Sequence, residues 1–276
     1  MTVKIYSKNA AYQKFEVLKT NRNKRYKYKE FFAEGVRNIN QAVKNGWEIA
    51  SFIYGDELIL SDWAKDMLRN VRTQTNYQLL PSLMADLSGK EDTSELLAVI
   101  KMREDNPENI ILGHSPLIML LDRPSNKGNL GTILRSCDAF GADGVIITGH
   151  AVDLYEPEVI AASMGSFFNV NCVRIYDNQA LSEYISRLRE KYPELQIIGT
   201  TAHKQHSIYN LSFLSPTLIM IGNETYGLNN TLKNGCDYLA TIPMNCSSSA
   251  SSLNIGCAAT VFLYEAARQR AMKNIK

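Results

Sequence analysis

The sequence predicts an α/β protein of two domains, the larger of them built on a parallel β-sheet. Between residues 117 and 242, short apolar runs alternate with helix-like segments, as parallel strands covered on both faces do. The first hundred residues also alternate strands and helices, and 276 residues are enough to bury two cores. The polar residues 103–109 place a boundary near 103–114, so we expect domains at 1–105 and 113–276.

The N-terminal part opens on a basic segment. Residues 1–30 hold nine Lys or Arg and two Glu, a net charge of +7, which leaves −5 for the rest of the chain. Four tyrosines are interleaved with these charges, a combination that suits phosphates and unpaired bases. A solvated basic helix with its aromatic stems packed inward explains the pattern equally well. The candidate RNA-contacting residues are Lys24, Arg25, Lys27 and Arg37.

Strands and helices continue to alternate after this segment. Residues 31–35 read as a strand ending in a glycine turn, and 36–45 as a helix closed by Gly46. A second strand at 48–54 precedes a helix at 61–70 that opens on the cap Ser61-Asp62, and a third strand covers 96–102.

The C-terminal part has the stronger strand pattern. Predicted strands lie at 117–121, 144–148, 172–175, 196–200, 218–221 and 239–242. Helix-like segments separate most of them. From Ile255 onward, apolar residues recur at helical spacing over one face, and Arg268 and Arg270 favour the end of this last helix.

Several classes of protein are excluded or disfavoured. No apolar run approaches the roughly 20 residues that cross a bilayer, and the N-terminus has no apolar core of a secretory signal, so we expect no membrane association and a cytoplasmic location. Five scattered cysteines without a Cys-x-x-Cys pair indicate neither a disulfide framework nor a zinc site, and we expect no metal.

Three loops after predicted strands carry unusual polar residues, and ligand sites in open α/β sheets lie at such strand ends. The first, 123–135, is glycine-rich and opens a helix, yet it has neither a P-loop nor a G-x-G-x-x-G fingerprint. The second, 222–228, sets Asn223 and Glu224 between two glycines. The third, 243–255, is serine-rich and leads into the final helix. A structural turn, a solvated turn residue and a helix cap are the respective alternatives.

The three loops together resemble a known family. Asn129-x-Gly131-x-x-x-Arg135, then Gly222-Asn223-Glu224-x-x-Gly227, then Ile242-Pro-Met244 with Ser252-Leu-Asn254 match in order the motifs of the SpoU (TrmH-like) branch of the SPOUT RNA methyltransferases. The match covers about 115–270. Residues 10–102 more loosely resemble the family's L30e-like RNA-binding domain. In the third motif Cys246 stands where many relatives have glycine.

The resemblance implies a SPOUT domain with a deep trefoil knot, a homodimer with composite sites, and S-adenosylmethionine as the cofactor. It implies a cofactor pocket formed by Thr200, Thr201, Ala202, Gly222, Asn223, Gly227, Ile242, Met244, Ser252 and Leu253. It also implies a reactive cluster of Asn129, Arg135, Glu224 and Asn254. The implied reaction is methylation of a ribose 2′-hydroxyl. The N-terminal domain resembles those of rRNA enzymes, including thiopeptide-resistance methyltransferases, which favours rRNA over tRNA.

Two other functions compete with this one. A non-catalytic RNA-binding or ribosome-assembly factor could keep the fold, although the four intact polar residues of the cluster argue against it. A nucleotide-dependent NTPase or dehydrogenase would need a fingerprint that is missing here. Since a guanidinium keeps its proton at ordinary pH, we expect Arg135 to position and stabilise charge rather than to act as a base.

Overall fold

Most of the apolar runs and capped segments predicted above form regular elements in the computed structural model, which describes residues 1–56, 60–88, 92–202 and 205–273. The elements in chain order are β1 (Thr2–Ile5), α1 (Ala10–Thr20), α2 (Arg22–Tyr28), β2 (Glu30–Glu34), α3 (Val36–Lys44), β3 (Ile49–Gly55), α4 (Asp62–Asn70), β4 (Asn76–Leu79), α5 (Pro81–Ser88), β5 (Leu96–Lys101), β6 (Leu117–Asp122), α6 (Lys127–Ala139), β7 (Gly144–Thr148), α7 (Pro157–Ala162), β8 (Cys172–Ile175), α8 (Asn178–Lys191), β9 (Gln196–Thr200), β10 (His206–Ser207), β11 (Thr217–Ile221), α9 (Asn230–Asn234), β12 (Tyr238–Thr241) and α10 (Ile255–Lys273).

The chain divides into two compact units. The N-terminal unit comprises Met1–Arg103 and Asp153–Asn169, and the C-terminal unit comprises Glu104–Val152 and Val170–Lys276. The sequence-based division at 1–105 and 113–276 assigned the segment 153–169 to the larger domain. Its aromatic residues instead pack in the N-terminal unit, where Phe167 and Phe168 contact the rings of Phe31 and Trp47.

The N-terminal unit is built on a five-stranded mixed sheet. The strand order is β1-β4-β3-β5-β2, with β5 antiparallel to both of its neighbours. Helix α1 buries Tyr12, Phe15 and Leu18, so its apolar face is turned inward, whereas Tyr6 and Tyr28 of the same basic segment are exposed.

Arg25 corrects one of the RNA-contact predictions. Its side chain is fully buried and forms ion pairs with Asp153, at 2.7 Å, and with Glu156. It also donates to the carbonyl oxygens of Leu18 and Lys19. A guanidinium with these partners has no surface left for a phosphate, so the prediction that Arg25 contacts RNA is wrong. Lys27 and Arg37 are exposed and Lys24 is partly exposed.

The C-terminal unit contains a seven-stranded sheet whose pairings are all parallel, as predicted. The strand order is β10-β12-β9-β11-β6-β7-β8. Strands β6, β7 and β11 are buried along their whole length, which explains their continuous runs of Ile, Leu and Val. The trefoil knot stays a prediction. Within the described ranges, no helix combines the length and the apolar character that a membrane span requires.

Candidate active site

A pocket of about 780 Å³ lies in the C-terminal unit. Its walls come from the segments that follow β9, β11 and β12 and from the start of α6. In the sheet β9 lies between β11 and β12, so the carboxyl ends of these parallel strands meet at one edge. All ten residues predicted for the cofactor pocket line it: Thr200, Thr201, Ala202, Gly222, Asn223, Gly227, Ile242, Met244, Ser252 and Leu253.

Glu224 joins two of the predicted loops. Its carboxylate accepts hydrogen bonds from the backbone and hydroxyl of Ser125, at 3.0 and 2.6 Å, and from the backbone N–H of Asn126 at 3.1 Å. Asn129 donates to the same carboxylate through Nδ2, at 3.3 Å. The loop after β11 is therefore fastened to the first turn of α6.

Asn254 extends this network to the third loop. Its Nδ2 donates to Oδ1 of Asn129 at 3.0 Å, and its own Oδ1 accepts from the backbone of Gly256 at 2.8 Å, at the start of α10. Three residues that are distant in sequence thus form one polar chain, Glu224–Asn129–Asn254, in the pocket wall.

The Glu224 carboxylate is stabilised in its ionised form. Partial burial alone raises its pKa, but the hydrogen bonds from Ser125 and Asn129 outweigh burial and hold the pKa below its ordinary value. The network therefore carries a negative charge at neutral pH, and that charge suits a positively charged ligand.

Gly222 lets two backbone segments approach closely. A Cβ at this position would lie 2.2 Å from the carbonyl carbon of Gly227 and from the nitrogen of Leu228. Gly227 adopts φ of 66°, in the left-handed region. The two glycines of the second motif are therefore required by the shape of this loop.

Asp122 and Arg123 brace the same loop, although neither belongs to the three sequence motifs. Arg123 forms a two-point ion pair with the buried carboxylate of Asp122, with both distances at 2.9 Å. The backbone carbonyl of Arg123 accepts a hydrogen bond from Asn223 Nδ2 at 2.8 Å, and its guanidinium donates to the carbonyl of Gly227 at 3.3 Å. Arg123 also has a positive φ of 53°, a strained conformation for a side-chain-bearing residue. The sequence offers one signal for these two residues, because an aspartate followed directly by an arginine stands at the end of a strand.

Within one chain, Arg135 lies apart from the other three residues of the predicted cluster, so its place in the cluster stays a prediction that depends on the composite sites of a dimer. It is exposed on α6, does not line the pocket, and has no hydrogen bond or ion pair with any described residue. Six positions along a helix of 3.6 residues per turn separate it from Asn129, so the two lie on different faces about 9 Å apart along the axis.

Comparison with known families decides the assignment of this site. The SpoU rRNA Methylase family matches residues 116–264, which contain the three loops of the pocket. The chain belongs to this family. The SpoU L30e-like domain matches residues 9–98, so the predicted resemblance is confirmed for both parts of the chain.

Two rRNA methyltransferases are similar to this chain, one over nearly its whole length and one over somewhat more than half of it. A 23S rRNA (uridine(2479)-2′-O)-methyltransferase of Streptomyces viridochromogenes is 40% identical over 268 residues, which are 97% of this chain and 92% of the relative. The 23S rRNA (guanosine-2′-O-)-methyltransferase RlmB of Pseudomonas syringae pv. tomato is 32% identical over 158 residues, 57% of this chain and 60% of that protein.

Solved structures support the same assignment. The SpoU methyltransferase AviRb of Streptomyces viridochromogenes, in complex with the cofactor AdoMet, matches with a TM-score of 0.90 at 40% identity and covers 95% of this chain and 98% of its own. An AdoMet-bound rRNA methyltransferase of Sinorhizobium meliloti matches with a TM-score of 0.82 at 26% identity, covering 97% and 98%. The predicted α/β fold of the family is confirmed.

Proposed function

We propose that this protein transfers a methyl group from S-adenosylmethionine to a ribose 2′-hydroxyl of 23S or another rRNA. The observation that carries the proposal is the pocket wall in which Glu224, Asn129 and Asn254 form one hydrogen-bonded chain beside all ten predicted cofactor residues. Of the relatives named above, three are rRNA methyltransferases by name and two are AdoMet-bound structures, which supports the same reaction. Such a substrate would place the enzyme in the cytoplasm.

The pocket has the properties that S-adenosylmethionine requires. Its volume falls within the range of small-molecule sites. Ile242, Met244 and Leu253 offer apolar surface for an adenine ring, while the missing side chain of Gly222 keeps the backbone close. The ionised Glu224 lies in the same wall and favours a cationic sulfonium. When bound, the cofactor supplies an electrophilic methyl group.

The protein's own residues would then orient the hydroxyl and stabilise charge. The 2′-oxygen would form a bond to the methyl carbon as the carbon–sulfur bond breaks, so that the sulfonium leaves as a neutral thioether and the hydroxyl proton passes to solvent. The hydrogen bonds that lower the pKa of Glu224 also make it a weak base, so we assign it with Asn129 and Asn254 to holding geometry. Arg135 would clamp the adjacent phosphate and stabilise negative charge that develops on the 2′-oxygen.

A homodimer would bring Arg135 of one copy to the pocket of the other copy. Because Arg135 is exposed and outside the pocket of its own chain, we propose that it acts in the pocket of a second copy. The composite sites implied by the family resemblance require the same arrangement. In the N-terminal unit, Lys24, Lys27 and Arg37 remain candidates for phosphate contacts.

Transfer of labelled methyl from S-adenosylmethionine to rRNA tests the proposal. The substrate is deproteinised RNA, or ribosomal subunits, from a host that lacks this protein. We expect the label in 2′-O-methylnucleoside, and we expect Arg135→Ala to lower kcat by about 100-fold or more. Arg187→Ala is the matched control, because Arg187 is an exposed arginine on α8, away from the pocket.

Two outcomes would contradict the proposal in different ways. Binding of cofactor and RNA without transfer to any substrate would favour a non-catalytic RNA-binding or ribosome-assembly factor. Full activity of the Arg135→Ala variant would be consistent with the methyltransferase function but would show that Arg135 has no part in the mechanism.

A further inference from the structure

Tyr226 stands out among the residues of the pocket wall. Its relative exposure is 80%, the highest of any aromatic residue in the described part of the chain. It lines the pocket and follows Glu224 by two positions, so an exposed ring lies beside the polar cluster. Tyr226 belongs neither to the polar cluster nor to the cofactor residues proposed above, so its ring has no role in the function as proposed so far.

The turn that carries Tyr226 is held firmly. Oδ1 of Asn223 accepts hydrogen bonds from the backbone of Thr225 at 2.9 Å and of Tyr226 at 3.1 Å. Asn223 and Gly227 also exchange two backbone hydrogen bonds, at 3.0 and 2.9 Å, which close the turn. The backbone of Tyr226 is therefore fixed before any ligand arrives.

Arg123 fastens this turn to the sheet. Its backbone carbonyl accepts a hydrogen bond from the side chain of Asn223 at one end of the turn, and its guanidinium donates to the carbonyl of Gly227 at the other end. Arg123 itself is locked by its ion pair with the buried Asp122. Less conformational entropy is then lost when the tyrosine ring takes a partner, since the segment beneath it is already ordered.

An exposed aromatic ring on a rigid turn suits one feature of an RNA substrate. A 2′-hydroxyl that enters the pocket must belong to a nucleotide in an accessible, unpaired segment, and unpaired bases stack on aromatic side chains. We propose that Tyr226 stacks on an unpaired nucleobase of the RNA, at or next to the methylated nucleotide. This inference rests on the proposed function. Since every base offers a flat face, the stacking supplies affinity and position rather than base identity.

Steady-state kinetics of three variants test the stacking. Tyr226→Ala removes the ring, and we expect it to raise KM for RNA by about tenfold or more while leaving the Kd of S-adenosylmethionine within about twofold. Tyr226→Phe keeps the ring and should retain the wild-type KM. Tyr209→Ala is the matched control, because Tyr209 is 73% exposed, has its backbone N–H bound by the Ser207 hydroxyl, and lies outside the pocket.

Equilibrium binding separates this inference from the reaction itself. With a naked 23S rRNA transcript as the probe, wild type, Tyr226→Phe and Tyr209→Ala should bind equally, and Tyr226→Ala about tenfold more weakly. Equal affinity of all four proteins, or no affinity for the transcript, overturns the inference. So does a Tyr226→Ala variant whose defect lies in cofactor binding. A wild type that shows this binding pattern without methyl transfer overturns the proposed function alone.

Discussion

Arg25 and Lys27 lie two positions apart on the same basic helix, and their environments are opposite. Arg25 is fully buried with two carboxylates and two carbonyl oxygens, whereas Lys27 is exposed. Local sequence assigns both to an RNA-facing segment because both are cationic neighbours of tyrosines. Their difference comes from Asp153 and Glu156, more than 120 residues further along the chain.

Replacement of Arg25 should therefore affect stability rather than RNA contact. Arg25→Ala leaves Asp153 buried without its ion partner, and we expect the free energy of unfolding of the N-terminal unit to fall by about 3–5 kcal/mol. Lys27→Ala should change it by less than about 0.5 kcal/mol. Urea denaturation of both full-length variants measures the difference. An Arg25 variant with normal stability and weakened RNA binding would restore the original interpretation.

At the scale of elements, Asp122 connects the end of β6 to the segment that enters α9. Its carboxylate accepts hydrogen bonds from the guanidinium of Arg123 and, at 2.8 Å, from the backbone N–H of Asn229. Burial alone raises the pKa of Asp122, but the hydrogen bonds from Arg123 and Asn229 prevail and lower it. A pKa that is lower in the folded than in the unfolded protein stabilises the fold above the unfolded value.

This shift predicts a pH dependence for the stability of the C-terminal unit. The contribution of Asp122 should be complete above about pH 5 and should fall as the pH drops below about 4 toward the folded-state pKa. In thermal melts, the difference in Tm between wild type and Asp122→Asn should therefore be largest near neutral pH and shrink in acid. Glu194→Gln, which changes an exposed carboxylate, should stay close to wild type throughout. A difference that grows in acid would contradict this assignment.

Most of these elements were predictable because their signals are local. The buried parallel strands β6, β7 and β11 are nearly continuous apolar runs, and Ser61 caps α4 as its sequence position indicates. Strands β1, β4 and β10 were not predicted, because they are short and partly exposed and so lack such a run. Their pairing depends on neighbours elsewhere in the sheet.

At the scale of the whole molecule, the proposed dimer makes a testable demand on the active sites. If Arg135 serves the pocket of the other copy, a heterodimer of Arg135→Ala and Asn254→Ala has one intact site and one doubly altered site. Refolding an equal mixture of the two inactive variants should then restore about a quarter of wild-type activity, since half of the dimers are mixed. Each variant refolded alone is the control. No recovery in the mixture would mean that Arg135 acts within its own chain.

By itself, the sequence determined the family, the parallel sheet and ten of the residues that line the pocket. Those inferences depend on short motifs and apolar runs, whose information lies within a few neighbouring residues. Only the tertiary structure decided that Glu224, Asn129 and Asn254 form one hydrogen-bonded chain, that Arg25 is buried and that Arg135 lies apart. The physical reason is that hydrogen-bond geometry and burial depend on groups brought together from distant parts of the chain. No local pattern of residue types specifies those partners.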